Sequence, residues 1–387
     1  MPAPVILAAC RTPIGKFQGS LTTLSASNLA AAVIRAALDR AGIDAAHVDE
    51  VILGNVLSAG VGQAPARQAA LKAGLPETVP ALTINEVCGS GLKAVMLADR
   101  AVRAGDADVV VAGGMESMSR APYLLPREAT EITRAALIDS MHHDGLTCAF
   151  SGDGMGAIAE SLAASDGITR EQQDACALQS HQRALAAIDE GAFSAEIVPV
   201  TADGRSITQD EGPRRSTTLQ ELAGLKPVFD QHGTVTAGNA SMISDGAAAL
   251  IVASRKFADT NGLTPLAALT ASATAGMKPA DLFIAPAQAV RMVLDKSGLT
   301  TSDIDLYEIN EAFAVQLLAC LKRLDLTPDR VNIHGGAIAL GHPIGASGAR
   351  TAVTLLHAMH RHNKPRGLTT LCQGGGTAVA ALFECDG

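Results

Sequence analysis

Three short stretches of this sequence carry side chains able to do covalent and proton-transfer chemistry. Cys88 opens Cys88-Gly89-Ser90-Gly91, directly before an apolar-periodic stretch that reads as a helix. A thiol there faces the N–H groups and the positive end of the helix dipole, which predicts a thiolate nucleophile with a depressed pKa. The glycines let a ligand or another backbone come close, although a small buried cysteine packed under a sheet fits the same pattern. His342 is held in Gly341-His342-Pro343-Ile344-Gly345 with little else that can ionise. That setting suits proton exchange with a thiol, or a ring that only satisfies a loop carbonyl. Cys372 ends a strand and leads into Gln373-Gly374-Gly375-Gly376, whose backbone amides could form an oxyanion hole. Asn310, in Tyr307-Glu308-Ile309-Asn310-Glu311-Ala312-Phe313, could orient a water or donate to an oxyanion. Glu311 and Phe313 read equally well as a helix-start carboxylate and a core aromatic.

The elements that position these residues come in two copies. Leu38-Asp39-Arg40-Ala41-Gly42-Ile43 returns as Leu294-Asp295-Lys296-Ser297-Gly298-Leu299 at an offset of 256, and Gly89-Ser90-Gly91 returns as Ala346-Ser347-Gly348 at 257. Each copy reads helix, glycine stop, strand, then a small-residue corner opening a second helix. The predicted strands Val109 to Ala112 and Thr369 to Cys372 close the two units, and Val5 to Ala9 matches Leu266 to Thr270. Residues 1–118 and 265–387 are therefore expected to be two α/β halves from one duplication. Residues 119–242 read as an inserted loop domain, and 243–264 as a return that completes the first half. The nucleophile candidate, the histidine and the second thiol all fall on glycine-rich corners of these units.

The composition agrees with a globular enzyme. The 387 residues are 48% hydrophobic, 3% aromatic and 18% charged, enough to build large aliphatic cores and too apolar for a disordered chain. A net charge of −9 without a basic run argues against a nucleic-acid partner. No apolar run approaches the ~20 residues of a membrane helix. Met1 to Arg11 reads as a strand rather than a secretory leader, so the cytoplasm is the expected compartment. Seven cysteines with no Cys-x-x-Cys pair read as reduced thiols.

With these residues in view, the sequence resembles the thiolase family, in its acetyl-CoA acetyltransferase and 3-ketoacyl-CoA thiolase branch. Six stretches carry the resemblance in order along the whole chain: Asn85 to Gly91, Gly113 to Met118, Gly238 to Ser241, Asn310 to Phe313, Gly341 to Gly345 and Cys372 to Gly376. It implies a five-layered αβαβα fold and a homotetramer or homodimer. It makes Cys88 the acyl-accepting nucleophile, His342 its activator and Cys372 the acid and base at the acetyl methyl group. One oxyanion hole would use His342 and a water on Asn310, the other the N–H groups of Cys88 and Gly374. Coenzyme A thioesters would be the substrates, with no metal or redox cofactor. The inserted domain would hold coenzyme A, with Arg214 beside the nucleotide, Phe229 and Ser241 along the pantetheine arm, and Met155 and Phe313 near the acyl pocket. The chain departs from the short-chain pattern at Gly154, where a His is common, and at Cys148, where an Asp is common, which bears on acyl-chain preference.

Other readings fit less well. A ketosynthase would pair its cysteine with two histidines, or a histidine and an asparagine, and would lack the Cys372 loop. A non-catalytic CoA- or lipid-binding relative would be expected to have lost Cys88 or His342. A metallohydrolase on His142-His143 or His360-Arg361-His362 lacks accompanying carboxylate pairs.

Overall fold

A computed structural model describes residues 3–129 and 131–385; Met1 and Pro2, the start of the predicted N-terminal strand, lie outside them. Nine strands, β1 (Val5–Arg11), β2 (Glu50–Gly54), β3 (Ala81–Ile84), β4 (Val109–Ser117), β5 (Ser244–Ala253), β6 (Ala267–Gly276), β7 (Leu306–Ile309), β8 (Arg366–Gln373) and β9 (Thr377–Glu384), share one sheet with the short strand Gly15–Lys16. Their order is β7-β8-β9-β6-β1-β5-β4-β2-β3. Apart from β3, which has no counterpart, the order is palindromic about the β6–β1 seam. On one side β1, β5, β4 and β2 succeed one another; on the other β6, β9, β8 and β7 do so with the same pattern of antiparallel and parallel neighbours. The seam itself is short, pairing Val5 with Ala268 and Ile6 with Ala267.

Helices fill three layers around this sheet. On the outer face of the first half lie α1 (Ala26–Ala41) and α2 (Pro65–Lys72). The insertion carries α4 (Met155–Asp166) and α5 (Arg170–Asp189). The outer face of the second half is covered by α6 (Ala285–Ser297) and α7 (Ala314–Leu324). Between the half-sheets run α3 (Ser90–Ala104) and α8 (Ser347–Arg361), whose apolar faces share one core with both. The result is the five-layered αβαβα stack, with one apolar core under each outer helical layer and a single core through the central layer.

Local sequence accounts for these elements. Ser25 caps α1 by accepting from Asn28 N–H, and the repeated stops Gly42 and Gly298 both take left-handed φ, 66° and 68°. The central helices cross so closely that a Cβ on Gly91 would lie 2.7 Å from Ala349 N, and one on Gly348 would lie 2.5 Å from Leu92 N. The duplicated small residues therefore make the middle layer possible. Among the described residues, no helix is long and apolar enough to cross a membrane.

Candidate active site

Cys88 sits in the turn between β3 and α3, one residue before the Gly89 cap rather than within the first helical turn. The turn is tightly held. Ser90 Oγ accepts from Glu86 N–H at 2.8 Å and donates to the Val87 carbonyl at 2.7 Å, while Asn85 Oδ1 accepts from Val87 N–H at 2.9 Å. These bonds keep Val87 at φ 49°, a conformation that β-branched residues avoid, so the backbone beside the thiol is strained. The expected depressed pKa is not what results. Although Cys88 is only partly buried, desolvation pushes its thiol up to about 12, outweighing a backbone hydrogen bond that lowers it, and buried Glu116 adds to the rise. Helix-dipole stabilisation fades beyond the first turn, whereas the cost of a charge in an apolar recess does not. At rest this cysteine is a thiol.

His342 is buried, and burial together with the nearby Arg350 charge lowers its pKa to about 3, so the ring is neutral. Its tautomer follows from its neighbours. Ser347 Oγ lies 2.6 Å from Nδ1 and 2.9 Å from the Pro343 carbonyl. The single hydroxyl proton goes to the carbonyl, so Nδ1–H must donate to Ser347 Oγ, and Nε2 keeps its lone pair. Asn310 Nδ2, 3.4 Å from the same Nδ1, then faces another donor and is free to donate elsewhere. Asn310 is oriented from behind: its N–H donates to the Thr370 carbonyl at 3.1 Å and its Oδ1 lies 3.5 Å from Arg350 Nη2. The His342 loop is pinned at both ends. Its N–H donates to the Met242 carbonyl at 3.0 Å, and Gly345 N–H donates to Glu116 Oε2 at 3.0 Å. Glu116, which also accepts from Asn55, Val56 and Leu57, is pushed up to about 7 by burial.

Cys372, at the end of β8, is buried in a cluster with Phe313, Cys148 and Met155, and its thiol is pushed well above its ordinary value by burial and by the proximity of Cys88. The packing of Gln373 on Gly89, the Asn310–His342 contact and the packing of Cys88 on the cluster holding Ile344 bring four of the catalytic candidates to one place. Gly374 joins them, its Cα facing Val87 so closely that a Cβ would lie 3.0 Å from Val87 Cγ2.

The five remaining candidates form a looser set. Phe313 stacks edge-on with Phe229 at 6.3 Å, and Met155 packs on the cluster that contains Phe313 and Cys372. Ser241 N–H donates to the Ala312 carbonyl at 3.0 Å. Phe229 is 45% exposed. Arg214 is exposed, and its N–H donates to His181 Nδ1 at 3.3 Å. Sequence reading passed over Ser347, Arg350, Glu116 and the strain at Val87. In the sequence Ser347 reads as the corner opening α8, and its position five residues after His342 is the signal of its second role. Among the described residues, no group of three or more His, Cys, Asp or Glu is arranged to hold a metal. His142 and His143 are exposed, and His360 is occupied with the Leu266 carbonyl.

Comparison with known proteins places this geometry. The thiolase N-terminal domain family matches residues 4–256 and the thiolase C-terminal domain family matches 263–385. An acetyl-CoA acetyltransferase of Escherichia coli (strain K12) is 54% identical, covering 98% of each chain. The crystal structure of a Bacillus anthracis acetyl-CoA acetyltransferase superposes with a TM-score of 0.97 at 43% identity over 99% of each chain. A thiolase from Ascaris suum, solved in complex with coenzyme A, gives 0.94 at 43% identity over the full length of both.

Proposed function

The chain belongs to the thiolase family, and on that premise we propose that it is an acetyl-CoA C-acetyltransferase, interconverting two acetyl-CoA with acetoacetyl-CoA and free CoA. What supports this reading is the buried His342, its Nδ1 2.6 Å from Ser347 Oγ and its ring beside Asn310, on a loop whose Ile344 packs against Cys88. His342 Nε2 takes the Cys88 proton as the sulfur attacks the acetyl carbonyl. The departing CoA thiolate takes the Cys372 proton, leaving acetyl-Cys88 and a Cys372 thiolate. A thiolate so disfavoured by burial is a strong base, and it removes a methyl proton from the second acetyl-CoA. The resulting enolate forms the C–C bond to the acyl carbon, the bond to Cys88 sulfur breaks, and that sulfur recovers its proton from His342. Nε2–H of His342 and a water on Asn310 hold one oxyanion; the N–H groups of Cys88 and Gly374 hold the other. The thioester itself acidifies the α-carbon, so the reading calls on no metal or redox cofactor.

The same proposal extends to finer points. Residues 1–118, completed by 243–264, and 265–387 form the two thiolase halves; 119–242 binds coenzyme A through Arg214, Phe229, Ser241, Met155 and Phe313. The enzyme works in the cytoplasm as a homotetramer or homodimer, in fatty acid metabolism. A broader-chain degradative 3-ketoacyl-CoA thiolase is the second reading, favoured by Gly154, where an added Cβ would meet the Leu146 carbonyl only at 4.0 Å. Thiolysis of acetoacetyl-CoA and of C6 to C16 3-ketoacyl-CoAs, followed by loss of enolate absorbance, separates them. Activity confined to acetoacetyl-CoA and abolished by Cys88→Ser supports the first reading; comparable rates on long chains support the second. Coenzyme A binding without thiolysis of any substrate overturns both.

A further inference from the structure

The two glycine-rich corners that carry the thiols are 284 residues apart in sequence, between Cys88 and Cys372, and one chain of side chains ties them together. Glu86, two residues before Cys88, accepts at Oε2 from Gln373 Nε2 at 2.7 Å and pairs at Oε1 with Lys93 Nζ at 2.9 Å. Lys93 projects from the first turn of α3, and its ammonium also donates to Thr274 Oγ1 of β6 at 3.2 Å. Gln373 stands between Cys372 and Gly374, is 1% exposed, and lies flat across the nucleophile turn: a Cβ on Gly89 would fall 2.1 Å from its Nε2. Both halves therefore meet through one carboxylate, with an amide on one oxygen and an ammonium on the other.

We infer that Gln373, with Glu86 and Lys93, is a positioning residue that sets the distance between the Cys88 sulfur and N–H and the Gly374 N–H. This rests on the assignment of those groups above. The energetic case is a charge-assisted hydrogen bond in a half-buried place, and the mechanical case is that the Gln373 side chain packs directly on Gly89, in the space a Cβ there would take. The clamp residues are engaged with one another and with Thr274, so their loss acts on the spacing of the site, to which acyl transfer is sensitive.

The polarity of the clamp supplies the test. Gln373→Glu sets two carboxylates against each other; the variant Glu86→Gln/Gln373→Glu restores one amide donating to one carboxylate, still beside Lys93. With thiolysis and CoA–acetyl-CoA isotope exchange as readouts at pH 8, Gln373→Glu should lower kcat roughly 10- to 100-fold with KM for CoA within about threefold, the size expected of a misplaced reacting group. The double variant should recover most of the loss at pH 8. A Gln373→Glu enzyme with wild-type kcat at pH 8, or a double variant no better than the single, overturns the inference. Should Gln373→Glu fail to fold, Gln373→Met keeps the length and loses the donor, and unchanged kcat there also overturns it. Alkylation of Cys88 by iodoacetamide reads the clamp independently of turnover. If the wild type acts on no CoA thioester, the functional proposal has failed, and the clamp still stands or falls on whether Gln373→Glu shifts the alkylation rate and the double variant restores it.

Discussion

Ser347 offers the most direct test of how the site is wired. Its hydroxyl accepts from Nδ1–H of His342 at 2.6 Å and donates its own hydrogen bond to the Pro343 carbonyl at 2.9 Å. Ser347→Ala leaves Nδ1–H buried without a partner or moves the proton to Nε2, the atom that must accept one from Cys88. An unpaired buried donor costs about 1–3 kcal/mol. At 1.36 kcal/mol per factor of ten, the loss in acylation rate is roughly 5- to 150-fold. The measurement is CoA–acetyl-CoA exchange beside acetoacetyl-CoA thiolysis, with CoA affinity determined in parallel: exchange and kcat should fall together while CoA affinity holds. Asn310 provides the internal comparison. If its amide rather than the Ser347 hydroxyl governed the imidazole, Ser347→Ala would stay within twofold of wild type and Asn310→Asp would abolish exchange, and that pairing of results would refute the tautomer argument.

Two further outcomes follow from the loop and the buried histidines. Gly345→Ala places a Cβ 2.7 Å from Glu116 Oε2 and 2.8 Å from the Met115 carbonyl; overpacking of this kind costs about 1–3 kcal/mol, so thermal denaturation should show a midpoint lowered by several degrees together with reduced turnover, and an unchanged midpoint would count against the close fit. His334, lowered to about 4 chiefly by burial, binds fewer protons folded than unfolded, where its pKa is ~6.5. Stability from this residue is thus complete above pH 6.5 and is lost as pH falls toward 4, by about 2 kcal/mol at pH 5. His334→Gln should flatten the loss of stability between pH 6.5 and 5 in denaturant titrations, and an equally steep loss would exclude His334 as its source.

Much of the molecule was legible in the residues themselves. The repeated helix, Gly42 or Gly298 stop and strand is a local pattern, because capping and periodicity depend on neighbours a few positions away, and the strand order around the β6–β1 seam follows the same repetition. The stretches around Cys88, His342, Cys372 and Asn310 were recognisable for the same reason, since turns that present reactive side chains demand particular residues at fixed spacing. Tertiary structure decided the rest. The sign of the Cys88 shift reversed because desolvation sums over atoms from distant segments, whereas the dipole argument considered only α3. The proton on His342 was settled by Ser347, and the register of the two thiol corners by Glu86 and Gln373, residues 287 positions apart. Sequence thus determined which groups could react, through short-range backbone preferences; folding determined their protonation and their spacing, because burial and long-range hydrogen bonds exist only once remote segments are packed together.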